Sequence, residues 1–173
     1  MCEESAPQRR GHQADCVGQG IRQPSYRRCF VCGSENPIGL KVAFYHDGHK
    51  VWTEFTPREE HQGYPGVMHG GLLYTLLDET IGRVALLNEK WVVTARVTVR
   101  YRHPARLGQK LRVEGEALRL RGRVMEATGR VLLPDGSVAA EASGLFMEIP
   151  AEYRQQLEEI VFQEPSRERT HDR

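Results

Sequence analysis

The sequence predicts an α+β fold in which a largely antiparallel sheet carries one long helix against one face. Three observations predict it. Six stretches carry strand-like patterning, two before and four after a single segment of helical period. That segment, residues 70–87, is apolar enough to demand burial along a broad stripe. And one helix cannot serve as crossover for a parallel sheet, so the strands must pair antiparallel.

The bulk properties agree with a soluble domain. A chain of 173 residues suits one domain with tails and can bury a real core. Its net charge of +1 gives no electrostatic argument for nucleic acid as a partner. No run approaches the ~18 apolar residues of a membrane helix, so no membrane span is expected. The N-terminus has Glu3 and Glu4 where a secretory signal would need an apolar core. Four cysteines, two of them in a polar tail, make no disulfide framework, and the default expectation is a cytoplasmic protein.

In chain order, residues 1–28 are polar and aperiodic and are expected to form a flexible N-terminal arm. The folded domain is expected over residues 29–150. It opens with Cys29-x2-Cys32 and the turn cluster Gly33 to Pro37. A Cys-x2-Cys pair invites a zinc reading, and thirteen residues separate Cys32 from His46. The His46-x2-His49 spacing is one residue short of the usual finger range, however, and both histidines fall in a turn. No metal is therefore expected. Residues 39–45 alternate Leu40, Val42 and Phe44 against polar neighbours, His46 to His49 turns the chain, and residues 50–56 return. The strand over residues 92–102 is the clearest. Val93, Ala95, Val97, Val99 and Tyr101 are expected on one face, and Thr94, Arg96, Thr98, Arg100 and Arg102 on the other. Further strands are expected over 111–120, 124–133 and 138–149, with a short helix over 151–162 and a charged tail to residue 173.

The helix itself carries an anomaly. At about 100° per residue, Leu72, Leu73, Leu76, Leu77 and Val84 fall within roughly 140° of arc. Asp78 projects roughly 100° beyond that arc, and Glu79 lies further round still. The helix begins at Gly70-Gly71, after a loop containing Gly63, Pro65 and Gly66. Glycine at a helix N-terminus lets a ligand approach amides that have no intrahelical partner, where the macrodipole favours an anion or a polarised carbonyl oxygen. The same pair also fits a tight helix start that needs only close packing.

The stretch HQGYPGVMHGGLLYTLLDE resembles the signature of hotdog-fold thioesterases of the PaaI-like branch, with HGG heading a central helix and an acid nine positions after the His. The resemblance runs from about Cys29 to Ile149. It implies a hotdog fold, a curved antiparallel sheet of order ββαββββ wrapped around one central helix. It further implies a homodimer, or a dimer of dimers, that hydrolyses acyl-CoA between subunits without a cofactor.

Residue by residue, the resemblance assigns Asp78 as general base or attacking carboxylate and the Gly70 amide as the donor that polarises the thioester. An unperturbed Asp is ionised at neutral pH and ready for either role. Thr94, sixteen positions after Asp78, matches a Ser or Thr that holds the water in relatives, though a threonine in a strand needs no function. His69 is expected to orient the loop or contact the thioester. Gln62 matches an upstream amide, Gly71 completes the HGG, and Glu79 is the rival acid. Arg100 and Arg102 belong to a basic stretch that could receive coenzyme A phosphates, or be a solvated strand face. No GxSxG elbow is present, which argues against a serine hydrolase. The rival class is a non-catalytic acyl-CoA-binding or regulatory module that keeps the fold.

Overall fold

A computed structural model describes residues 20–162, with side chains to residue 156. Most of the expected N-terminal arm, and the charged tail after residue 162, lie outside the described residues. Short β1 (Ile21–Arg22) precedes β2 (Phe44–His46) and β3 (Lys50–Phe55). The central helix α1 (Gly70–Gly82) continues as a 3-10 turn, Arg83–Asn88. Then come β4 (Val92–Tyr101), β5 (Leu111–Arg121), β6 (Val124–Leu132), β7 (Val138–Glu148) and the terminal helix α2 (Ala151–Phe162).

The strands form one sheet in the order β1-β2-β3-β5-β6-β7-β4, every neighbouring pair antiparallel. Three parts of the expected architecture are corrected. The sheet has seven strands rather than six, because Ile21–Arg22 pairs with Tyr45 and His46. Two residues are too few to show a period, so this strand was hidden in the arm. The sheet is also not a curved wrap around the helix. It is open, with β1 and β4 as unjoined edges, and it neither closes nor curls strongly round α1, which packs against a single face. The alternation expected over 39–43 is not a strand either. Lys41 has φ 55°, and Leu40 and Val42 donate instead to the Phe30 and Val31 carbonyls of the cysteine loop.

The core lies between α1 and that face. Leu73, Leu76, Leu77 and Ile81 pack on Val51, Leu111, Val113, Val131 and Phe146, all buried. Helix and sheet approach closely because Gly115, Gly129 and Gly144, on three adjacent strands, lie under Ile81. A Cβ on Gly115 would stand 3.1 Å from the Ile81 Cα, and one on Gly129 would press into the Ile81 side chain. Missing side chains here set the height of the helix above the sheet.

Candidate functional site

The site begins in the loop that leads into α1. The His69 N–H donates to the His61 carbonyl at 2.8 Å, and the Gln62 side-chain oxygen accepts from the Gly66 N–H at 2.8 Å. Gln62 thus braces its own loop. His69 is the helix N-cap in extended conformation, and its Nδ1 accepts from the Gly71 N–H at 2.9 Å. The Leu72 and Leu73 amides both donate to the His69 carbonyl, at 3.0 and 3.3 Å. Of the first-turn amides this leaves the Gly70 N–H without a partner among the described residues. The Gly70 carbonyl is held from behind, accepting from the Tyr101 hydroxyl at 2.9 Å.

Two turns further along, the Thr94 hydroxyl donates to Asp78 Oδ1 at 2.8 Å. Strict alternation would have put Thr94 on the face opposite Tyr101, seven residues away. The structure puts both on the α1 face, because the β4–β7 register shifts between Thr94 and Arg96. This bulge at Ala95 flips the face of everything before it. Thr94 therefore pairs with buried Phe146, while Val97, Val99 and Tyr101 keep the same face further along. Half-buried Asp78 has its carboxyl raised above the ordinary aspartate range by burial, with the Thr94 hydroxyl pulling it back down. It remains a weak base in a sheltered place, better matched to taking a proton than a solvated carboxylate is. Asp78 and Thr94 line a cleft of about 160 Å3 with Val92, Trp91 and Phe146, and Glu79 and Arg83 border the same cleft.

Glu79 is differently employed. Its Oε1 accepts from Arg83 Nε at 2.9 Å, and the Arg83 side chain is only 4% exposed. That guanidinium also donates to the Pro24 carbonyl at 2.9 Å and to Cys32 Sγ at 3.0 Å, and stacks 4.3 Å from the Phe44 ring. Burial beside this group pushes the Tyr26 hydroxyl up to about 12. Cys32 keeps its proton and donates it toward Cys29, which draws the Cys29 thiol down to about 6. The buried arc of α1 runs from Leu76 round to Ile81, so Asp78 and Glu79 flank it on opposite edges, each about 60° away. Asp78 is bonded to β4, and Glu79 to the arginine that reaches the cysteine loop, although both border the one cleft.

The predicted residues thus fall into separate groups. Asp78 and Thr94 are together. His69, Gly70 and Gly71 are together at the helix start, with Gln62 in the loop before them. Gly70 and Asp78 are eight residues apart on one helix, a separation of about 12 Å at 1.5 Å per residue. Arg100 and Arg102 are not brought to either group. Arg100 pairs in register with Glu141, between buried Ala140 and Ala142, so it faces away from α1, and Arg102 is salt-bridged to the same Glu141. Sequence reasoning missed Tyr101 as the support of the Gly70 carbonyl, because a tyrosine on an apolar strand face gives no sign of which backbone group its hydroxyl will reach.

Comparison with known proteins adds the following. Residues 65–140 match the family model of the thioesterase superfamily. A thioesterase superfamily protein of known crystal structure is 32% identical, with 70% of this chain and 60% of that one covered and a TM-score of 0.66. The chain therefore spans about three fifths of that relative's length. The Escherichia coli PaaI protein from the phenylacetic acid degradation operon matches at 15% identity, 64% and 81% coverage and TM-score 0.60. A hypothetical thioesterase protein from Streptococcus pneumoniae, solved with coenzyme A, matches at 21% identity, 58% and 81% coverage and TM-score 0.56. Among the described residues no helix is long and apolar enough to cross a membrane.

Proposed function

We propose that this chain, whose residues 65–140 match the thioesterase superfamily, is a hotdog-fold thioesterase that hydrolyses an acyl-CoA thioester at a site shared between two copies. One observation carries the reading: a sheltered Asp78, held by Thr94, on the same helix whose first free amide is Gly70. Thr94 occupies Oδ1, so Oδ2 is left to take a proton from water as it attacks the thioester carbon. The electron pair displaced from the carbonyl gathers on oxygen, where an unpartnered N–H at the positive end of a helix is worth about 2.7–4 kcal/mol. Collapse breaks the C–S bond, and the thiolate leaves by taking the proton from Asp78 Oδ2, which restores the carboxylate. If the carboxylate itself attacks instead, the same Oδ2 forms an acyl anhydride as the thiolate leaves, and water then hydrolyses the anhydride to the free acid and Asp78.

The need for two copies follows from distance. A reacting carbonyl must lie about 3 Å from both the attacking group and the oxyanion donor, and within one chain these are about 12 Å apart. Gly70 of one copy would thus serve Asp78 of another. Two features support this assembly. Edge strand β4 is open, with Val93 and Tyr101 exposed along it. The cleft of one chain, about 160 Å3, is also smaller than the ~300–1,000 Å3 of most ligand pockets.

Two further facts favour the substrate and the acid. The S. pneumoniae thioesterase carries coenzyme A in its structure. Variants of the thioesterase from that organism have been made with Ala in place of an Asp and of a Thr sixteen positions later, the separation of Asp78 from Thr94. A thiol-release assay over a panel of aliphatic and aromatic acyl-CoAs tests the reading. Turnover with at least one substrate, abolished by Asp78→Asn, is the expected outcome. Tight acyl-CoA binding without turnover on any of them would make the protein a binding module.

A further inference from the structure

The cysteine loop plays no part in that chemistry, yet it is built with care. Cys29 and Cys32 are both free, and their sulfurs and a carboxylate oxygen of Glu79 all lie within 4.8 Å of one another. Backbone and side-chain donors converge on the sulfurs. Cys29 Sγ accepts from the Val31 N–H at 3.3 Å, and Cys32 Sγ accepts from the Tyr26 N–H at 3.4 Å and from Arg83 at 3.0 Å. N–H donors aimed at sulfur favour the thiolate, the form that binds metal, and at Cys32 they work against the hydrogen bond to Cys29 and the burial that hold its proton. The loop has no slack: a Cβ on Gly33 would stand 2.5 Å from the Cys29 carbonyl oxygen.

We propose that Cys29, Cys32 and Glu79 bind one zinc ion, with solvent as the fourth ligand. The histidines that the sequence offered as partners lie in the β2–β3 turn, and α1 supplies a carboxylate in their place. Ligand atoms within 4.8 Å of each other suit a tetrahedral centre, whose bonds are about 2.3 Å to sulfur and 2.0–2.2 Å to oxygen. Glu79 can serve because Arg83 takes only its Oε1, which leaves the second oxygen for the metal. Charge also balances. Two thiolates and a carboxylate carry three negative charges, against the dication and the Arg83 guanidinium, and binding displaces the proton that Cys32 keeps. Thiolate ligands select a thiophilic ion over magnesium or calcium. The ion would tie the start of the domain to the second half of α1.

The test uses the full chain, kept reduced, and reads metal rather than turnover, so it stands or falls apart from the thioesterase reading. Protein from zinc-replete growth, purified without chelator, should carry about one zinc per chain. Cobalt(II) added to the metal-free protein should give the near-ultraviolet thiolate charge-transfer absorption. Cys29→Ser changes one half-exposed atom and should remove both signals with the circular dichroism unchanged, while Glu79→Gln should weaken affinity at least about tenfold. The cobalt titration of the unaltered chain needs no variant, so a misfolded Cys32→Ser does not blunt the test. Well under one zinc per chain together with no charge-transfer band would overturn the proposal. So would zinc retained by Cys29→Ser, or a Cys29–Cys32 disulfide in the reduced preparation.

Discussion

If Gly70 of one copy serves Asp78 of another, two inactive variants should rescue each other. Asp78→Asn keeps the acceptor that Thr94 needs and removes the base, and should lower kcat by at least about 10²-fold. Gly70→Ala adds a Cβ that meets the Tyr101 ring at 3.5 Å, an ordinary contact, so the helix should tolerate it. The methyl group instead obstructs the approach of a carbonyl to the amide. Loss of one such donor costs about 2.7–4 kcal/mol, or 10²–10³-fold in kcat. Unfolding and refolding the two variants together in equal amounts makes half of the dimers mixed. In each mixed dimer one site has both partners intact and the other has neither, so activity should return to about a quarter of the unaltered protein's. Variants refolded separately and then assayed together without exchange should stay inactive. No recovery from refolded mixtures that contain mixed dimers, verified by differently tagged chains, would refute the shared site and with it the 12 Å argument.

Other outcomes follow from the same contacts. Thr94→Val removes the hydrogen bond that opposes burial at Asp78, so the acid limb of the kcat/KM profile should move to higher pH; an unmoved limb would separate Thr94 from the base. Because the folded-state value of Asp78 is raised, its protonated form stabilises the fold, and that contribution is full below the unfolded pKa and lost as pH rises through the folded one. Asp78→Asn should therefore raise Tm at neutral pH and leave it nearly unchanged in strong acid, which differential scanning calorimetry across pH would read. Gly129→Ala should cost about 1–3 kcal/mol in urea unfolding, since the new Cβ meets the Glu114 carbonyl oxygen at 2.7 Å and the Ile81 side chain; a neutral result would mean that α1 does not sit on this strand.

Elements were legible wherever one face is buried and the run is long. The helical stripe of Leu73, Leu76, Leu77 and Ile81 and the later strands, β4 to β7, stand close to where their periods put them. Pairs of residues without a period, such as Ile21–Arg22, could not be read, and neither could a segment whose alternation serves an irregular contact, as Leu40 and Val42 do. The sheet's shape was beyond reach for another reason. Periodicity says which face a residue takes, not whether neighbouring strands curl, and the wrapped architecture came from resemblance alone.

The site shows how a single unpaired residue changes what a pattern means. Alternation grouped Thr94 with Arg96, Arg100 and Arg102, and that grouping would make the threonine part of a basic strand face. The bulge at Ala95 splits the group. Thr94 turns in to Asp78 while Arg100 turns out to Glu141, and the shift brings Thr94 to the face from which Tyr101 reaches Gly70 at the other end of β4. Both ends of the candidate machinery are therefore held by one strand, against one helix, through a defect that has no signature in hydrophobicity. The two acids of α1 tell the complementary story. Adjacent in sequence, they stand on opposite edges of the buried arc, and their partners were fixed far away, Thr94 for one and Arg83 with the cysteine loop for the other. Spacing from the HGG could rank Asp78 over Glu79 as the acid. Packing adds a physical reason for that ranking: one oxygen of Glu79 is already engaged by a nearly buried guanidinium, whereas Asp78 has only a hydroxyl on it.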